Sequence, residues 1–222
     1  MKKVLPFITV MFLLVTSIPA YGDGFLMKQS VVEKYAENCS IKVLTPYFEG
    51  FEGADNINRL IRNNVMDSVG EANAMAKSLK KYNDENVAMG GEPLGNGAVV
   101  SLDTNYYLSR SGDILSTQLS TYYYSGGAHP ISWINAITAN TKTGEVYSFD
   151  SLFSENSDYK AYVTDKIIEN INKDPSPYFE GYAEEIKSRN GNFNFYIDGN
   201  RLVVYFGLYE ISPYAAGMSF FA

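Results

Sequence analysis

Residues 55–81 read DNINRLIRNNVMDSVGEANAMAKSLKK, and within them Ile57, Leu60, Ile61, Val65, Val69, Ala72, Met75, Ala76 and Leu79 recur at three- and four-residue spacing. Positions so spaced share one face, which predicts an amphipathic helix of about seven turns starting near Asp55. A helix with a single apolar stripe must bury it, and the flanking sequence supplies a sheet. Upstream, residues 28–46 alternate and are interrupted at Glu37-Asn38, as expected of a two-stranded hairpin with Val31, Ile41 and Val43 among the inward positions. Downstream, residues 82–97 are polar and glycine-rich and predict a long loop between two halves of the fold. Strands are then expected near residues 98–108, 114–124, 132–139 and 145–149, with turns at Ser111-Gly112-Asp113 and Lys142-Thr143-Gly144.

A second amphipathic helix is predicted over residues 158–172, with Tyr162, Val163, Ile167 and Ile171 on one face and a break at Asp174-Pro175-Ser176-Pro177. Strands at 193–197 and 202–206 flank the tight-turn sequence Asp198-Gly199-Asn200, and residues 209–217 form a loop leading into a short last strand. The predicted fold class is α+β. Residues 23–96 form a half in which a helix packs on an antiparallel sheet, and residues 97–222 form a second half, an antiparallel β-meander with one helix.

Composition narrows the chemistry. The 222 residues carry a formal net charge of −7, and no basic cluster is available to neutralise a phosphate backbone, which argues against nucleic acid as partner. One histidine and one cysteine exclude clustered His/Cys zinc sites and any disulfide framework, so no metal centre and no cofactor is expected, and an incidental cation would be held by oxygen. Lys2 and Lys3, the apolar run from Val4 to Ile18 and the small residues of Ala20-Tyr21-Gly22 read as a signal peptide over residues 1–22, cleaved before Asp23. The run is shorter than the ~20 residues a bilayer span needs, so no stable membrane span is expected after cleavage, and the domain should be exported to the periplasm or outside the cell. Cys39 reads as a small buried hydrophobe.

Catalytic motifs fail on inspection. Lys142-Thr143-Gly144 and Ser157-Asp158-Tyr159-Lys160 match the short KTG and SxxK elements of penicillin-binding enzymes, but in the wrong order. The first is a hairpin turn and the second a helix start. His129, in the stretch Tyr122-Tyr123-Tyr124-Ser125-Gly126-Gly127-Ala128-His129-Pro130, has three readings: a fixed hydrogen bond in a glycine-supported turn, a ligand contact, or a general base. Among the 18 tyrosines, those facing outward from alternating strands could form an aromatic surface for a sugar or a protein.

Four stretches carry a family resemblance. They are Pro46-Tyr47-Phe48 before the helix with Ile57-Asn58, then residues 124–130, then Asn140-Thr141-Lys142-Thr143-Gly144 followed by Leu152-Phe153, and last Tyr209-Glu210-Ile211-Ser212-Pro213-Tyr214-Ala215-Ala216-Gly217. In this order the chain resembles the extracytoplasmic domain family of the lysozyme-sensing, RsiV-like anti-sigma factors, a domain also found ahead of the catalytic domain in peptidoglycan deacetylases of the PdaC type. The resemblance implies a two-part α+β module used at the cell envelope. Only residues 1–3 precede the apolar run, so the regulators' cytoplasmic segment is not expected, and neither the length nor the histidines of a metal-dependent deacetylase domain are present.

The expected function is therefore an exported, non-catalytic envelope-binding module that recognises a wall glycan or a wall-active protein such as lysozyme. Its candidate ligand-binding residues are Tyr124, Ser125, Gly127, His129, Pro130, Tyr209, Pro213 and Tyr214, from two loops expected to lie near each other. In such loops glycines let a partner approach the backbone, and tyrosines add contact area at low entropy cost. The alternative is an envelope hydrolase using His129 with a serine or carboxylate brought near it by the fold. A third reading is an accessory subunit that docks on another envelope protein through an aromatic surface.

Overall fold

Alternation and stripe do produce a helix on a sheet. The structure, a computed structural model, describes residues 25–36, 38–94, 99–155 and 157–222. The predicted signal peptide over residues 1–22, residue Glu37 of the first turn and residues 95–97 of the predicted loop lie outside the described residues. Strands β1 (Leu26–Ala36) and β2 (Cys39–Glu49) pair antiparallel from Leu26 opposite Glu49 to Ala36 opposite Cys39. Helix α1 (Ala54–Ala88) follows, and then β3 (Val100–Ser111), β4 (Ile114–Tyr124) and β5 (Ile131–Asn140) complete a five-stranded sheet in the order β1-β2-β3-β4-β5. A separate three-stranded antiparallel sheet has the order β6-β7-β8, formed by β6 (Asn194–Asp198), β7 (Arg201–Phe206) and β8 (Ser219–Phe221). Helices α2 (Tyr159–Ile171) and α3 (Tyr182–Ser188) precede it in the chain. The fold class is α+β, as expected.

The arrangement within that class differs in four places. Strands β3 to β5 join the first sheet, and β3 runs parallel to β2, with Ser40 beside Ser101 and Lys42 beside Asp103. The cause is the helix between them, because a crossover that returns to the neighbouring strand position makes the pair parallel. The helix also runs seven residues past its expected end. Residues 82–88 contain neither Gly nor Pro, so it propagates until Gly90, whose φ of +86° only glycine adopts without strain. Gly91 N–H then bonds the Asn86 carbonyl, and Asn83 accepts from Leu94 N–H at 2.7 Å, folding the chain back along the helix. The strand expected at 145–149 reduces to a bridge between Ala139 and Val146, since Asn140 Oδ1 holds the turn at Lys142 and Thr143 and Phe149 turns inward. Helix α3 was not expected, because seven residues with one buried side chain, Ile186, show no periodicity.

The chain divides into two compact units. The first comprises residues up to Tyr106 with Leu119–Ser132, and the second Tyr107–Gln118 with Trp133–Ala222. In the first, Ile57, Ile61, Val65, Ala72 and Ala76 of α1 are buried, as are Cys39, Ile41 and Val43 of β2 and Val100 and Leu102 of β3. In the second, Phe149, Ile167, Ile171, Ile186, Phe193, Val204, Phe206 and Ile211 form one apolar cluster. Among the described residues, no helix is long and apolar enough to cross a membrane.

Candidate functional site

Because successive side chains of a strand point to opposite faces, burying Cys39, Ile41 and Val43 turns Ser40 and Lys42 to the other face of the sheet. The hairpin register sets Tyr35 opposite Ser40 and Glu33 opposite Lys42, and the parallel register sets Ser101 and Asp103 on their other side. Ser120 and Tyr122 of β4 and Ser132 of β5 continue this polar surface, and with Asn105 they line a depression of about 480 Å³. That volume lies within the ~300–1,000 Å³ range of small-ligand sites. Two tyrosines frame it, Tyr35 at 54% and Tyr122 at 43% exposure. Every lining residue belongs to the first unit.

The polar groups of the depression are largely uncommitted. Asp103 accepts one hydrogen bond, from Asn105 Nδ2 at 2.6 Å. Lys42 has no carboxylate within 4 Å among the described residues, although it lies between Glu33 and Asp103 in register. Likewise, the hydroxyls of Tyr35, Ser40, Ser101, Ser120, Tyr122 and Ser132 make no hydrogen bond among the described residues. Such a face offers donors and acceptors side by side between two aromatic rings, which is what a hydroxylated ligand with flat apolar patches requires. Among the described residues that line it, no hydroxyl is hydrogen-bonded to a base.

The loop at 125–130 belongs to the same unit, starting three residues after Tyr122 and ending two before Ser132. Gly126 has φ +92°, and the turn is closed by Tyr124 Oη donating to the Gly127 carbonyl at 3.0 Å. His129 is exposed, and its Nδ1 donates to the Pro130 carbonyl at 2.9 Å. It does not line the depression.

The second expected loop, 209–217, belongs to the second unit. Tyr209 has φ +65° and is exposed, with its ring 5.9 Å from that of Tyr214. Beneath them Ile211 and Ser212 are buried, the Ile211 carbonyl accepts from Phe179 N–H at 3.0 Å, and Glu210 binds Gly207 N–H at 2.9 Å and Arg189 at 3.4 Å. Pro213 is exposed at the head of a short 3₁₀ turn, Tyr214–Ala216. The loop thus has a braced base and an exposed tyrosine on top.

Of the residues expected at a site, Tyr124, Ser125, Gly127, His129 and Pro130 adjoin the depression in sequence, and none lines it. Of the residues that do line it, the outward tyrosines Tyr35 and Tyr122 fit the expected aromatic surface, whereas the serines, Lys42, Asp103 and Asn105 carry no motif. Their signal was the polar alternation of Ser40 and Lys42 between Cys39, Ile41 and Val43, which the sequence shows but which gives no hint of which strands lie alongside. Elsewhere, burial pushes the Cys39 thiol up, against a smaller opposing effect of Lys34, which makes it a poor nucleophile. No group of three or more His, Cys, Asp or Glu side chains among the described residues could hold a metal ion.

Comparison with known proteins divides the chain in two. Residues 32–132 match the family described as Deacetylase PdaC, and residues 150–221 match the family described as Protein of unknown function, DUF3298. A crystal structure of a DUF3298 family member from Bacteroides fragilis is 17% identical, covers 89% of this chain and 89% of its own, and superposes with a TM-score of 0.68. A DUF3298 family protein from Pseudomonas aeruginosa is 13% identical, with coverage of 87% and 88% and a TM-score of 0.54. At these identities the likeness is one of fold. No protein of curated function matches the chain.

Proposed function

We propose that this protein is an exported, non-catalytic binding module of the cell envelope and that its ligand is a wall glycan, bound in the depression on the polar sheet face of the first unit. The observation that carries the reading is the depression between Tyr35 and Tyr122, lined by hydroxyls and a lysine that have no hydrogen-bond or ion-pair partner among the described residues. Aromatic rings flanking uncommitted donors and acceptors suit a sugar ring, with one apolar face and a hydroxylated rim. Export rests on the sequence of residues 1–22. Glycan recognition also agrees with the similarity of residues 32–132 to a family described as a deacetylase, with no deacetylase chemistry assigned to this chain.

The test is co-sedimentation with purified peptidoglycan, run beside capture on immobilised lysozyme. The wild-type chain should sediment with the glycan, and the double variant Tyr35→Ala/Tyr122→Ala should lose about tenfold in affinity, equivalent to about 1.4 kcal/mol. Its melting temperature should change little, because both side chains are exposed. Capture by lysozyme without glycan binding would favour a wall-active protein as ligand. Turnover of the glycan, lost in His129→Ala without unfolding, would favour the hydrolase.

A further inference from the structure

The charges on the open sheet face alternate in sign along one row. Glu33 of β1, Lys42 of β2 and Asp103 of β3 are neighbours in register, one strand spacing apart, about 4.8 Å. Of these, Lys42 and Asp103 line the depression. They do not close on each other to within 4 Å, so neither charge is used up by the other.

Resting on the reading of this face as a glycan site, we infer that the depression takes an uncharged oligosaccharide, with Lys42 and Asp103 reading neighbouring hydroxyls of one pyranose ring. A charged ligand group would have to sit beside a like charge at either place, since the two formal charges cancel over the width of one strand pair. A hydroxyl, in contrast, both accepts and donates. Lys42 supplies only donors and Asp103 only acceptors, so adjacent hydroxyls can accept from one and donate to the other. Asn105 Nδ2, at 2.6 Å from Asp103 Oδ1, fixes the carboxylate and leaves Oδ2 for the ligand. Tyr35 on β1 and Tyr122 on β4 stand three strands apart, about 14 Å, so a chain of rings lying across the strands can meet both.

Three soluble trimers test this on the whole chain by calorimetry, beside the peptidoglycan sedimentation: N-acetylglucosamine trimer, its cationic glucosamine counterpart and anionic galacturonic acid trimer. The uncharged trimer should bind at least about tenfold more tightly than either charged one, and its Kd should change less than about twofold between about 50 and about 500 mM NaCl. Lys42→Met and Asp103→Asn should each weaken it about fivefold or more without lowering the melting temperature. A chain that sediments with peptidoglycan but prefers a charged trimer, binds none of the three, or loses binding in salt overturns the inference and leaves the glycan reading standing. A chain that does not sediment overturns both.

Discussion

Asn58 is a polar residue inside the apolar stripe of α1, and it is buried. Its side-chain oxygen accepts from Phe48 N–H and its amide donates to the Phe48 carbonyl, both at 2.8 Å. The pairing of β2 with β3 ends at Val43, so the far end of β2 lacks that neighbour and the asparagine substitutes for it. Asn58→Ala should therefore cost about 2–4 kcal/mol in chemical denaturation, because two buried backbone groups lose their partners. Asn58→Asp should be destabilised at neutral pH and partly recover in acid, where the protonated carboxyl can donate again. In the second unit Tyr205 is buried and donates to the Ile134 carbonyl at 3.1 Å, and burial pushes its phenol up to about 12. The folded pKa lies above the unfolded value of 10, so this contribution is complete below pH 10 and is lost as pH rises toward 12. Tyr205→Phe should flatten the fall in unfolding free energy over that window, at a cost of about 1–2 kcal/mol near neutral pH. An unchanged alkaline slope would count against this assignment.

Helix α1 is 35 residues long, but its buried positions run only from Ala54 to Ala76. Ile61 is 2% exposed, and Ile61→Ala should cost about 2–5 kcal/mol in thermal or chemical unfolding. The last three turns are held by little apolar packing, with Asn83 and Asn86 bonded to Leu94 N–H and the Glu92 carbonyl. Amide hydrogens of residues 79–88 should exchange at least about tenfold faster than those of 57–76; equal protection would mean that the helix end is covered by something else. The stripe, the hairpins and the second helix were legible because each repeats a local period over several turns or pleats. The end of α1 was not, since polar residues can continue a helix as readily as leave it, and only the positive φ of Gly90 decides where it stops. Neither was the parallel pairing of β2 with β3, which joins residues about 60 positions apart and leaves no local trace.

Over the whole molecule, similarity to one described family covers residues 32–132 and to another residues 150–221. The candidate site draws on β1 to β5 and lies wholly within the first of these segments. The loop at 125–130 was legible as a candidate from its glycines, its histidine and the adjoining Tyr124. The depression was not, because it depends on which faces of five strands come together: Tyr35, Lys42, Asp103 and Tyr122 look like ordinary outward residues until the register is known. The central claim is that this open face, and not the tyrosine loop at 209–217, meets the ligand. Chemical-shift mapping of the isotope-labelled chain with soluble peptidoglycan fragments tests it most directly. The account predicts saturable shifts at Tyr35, Ser40, Lys42, Ser101, Asp103, Ser120 and Tyr122. Shifts confined to residues 209–217, or none at all from a chain that remains folded, would contradict it.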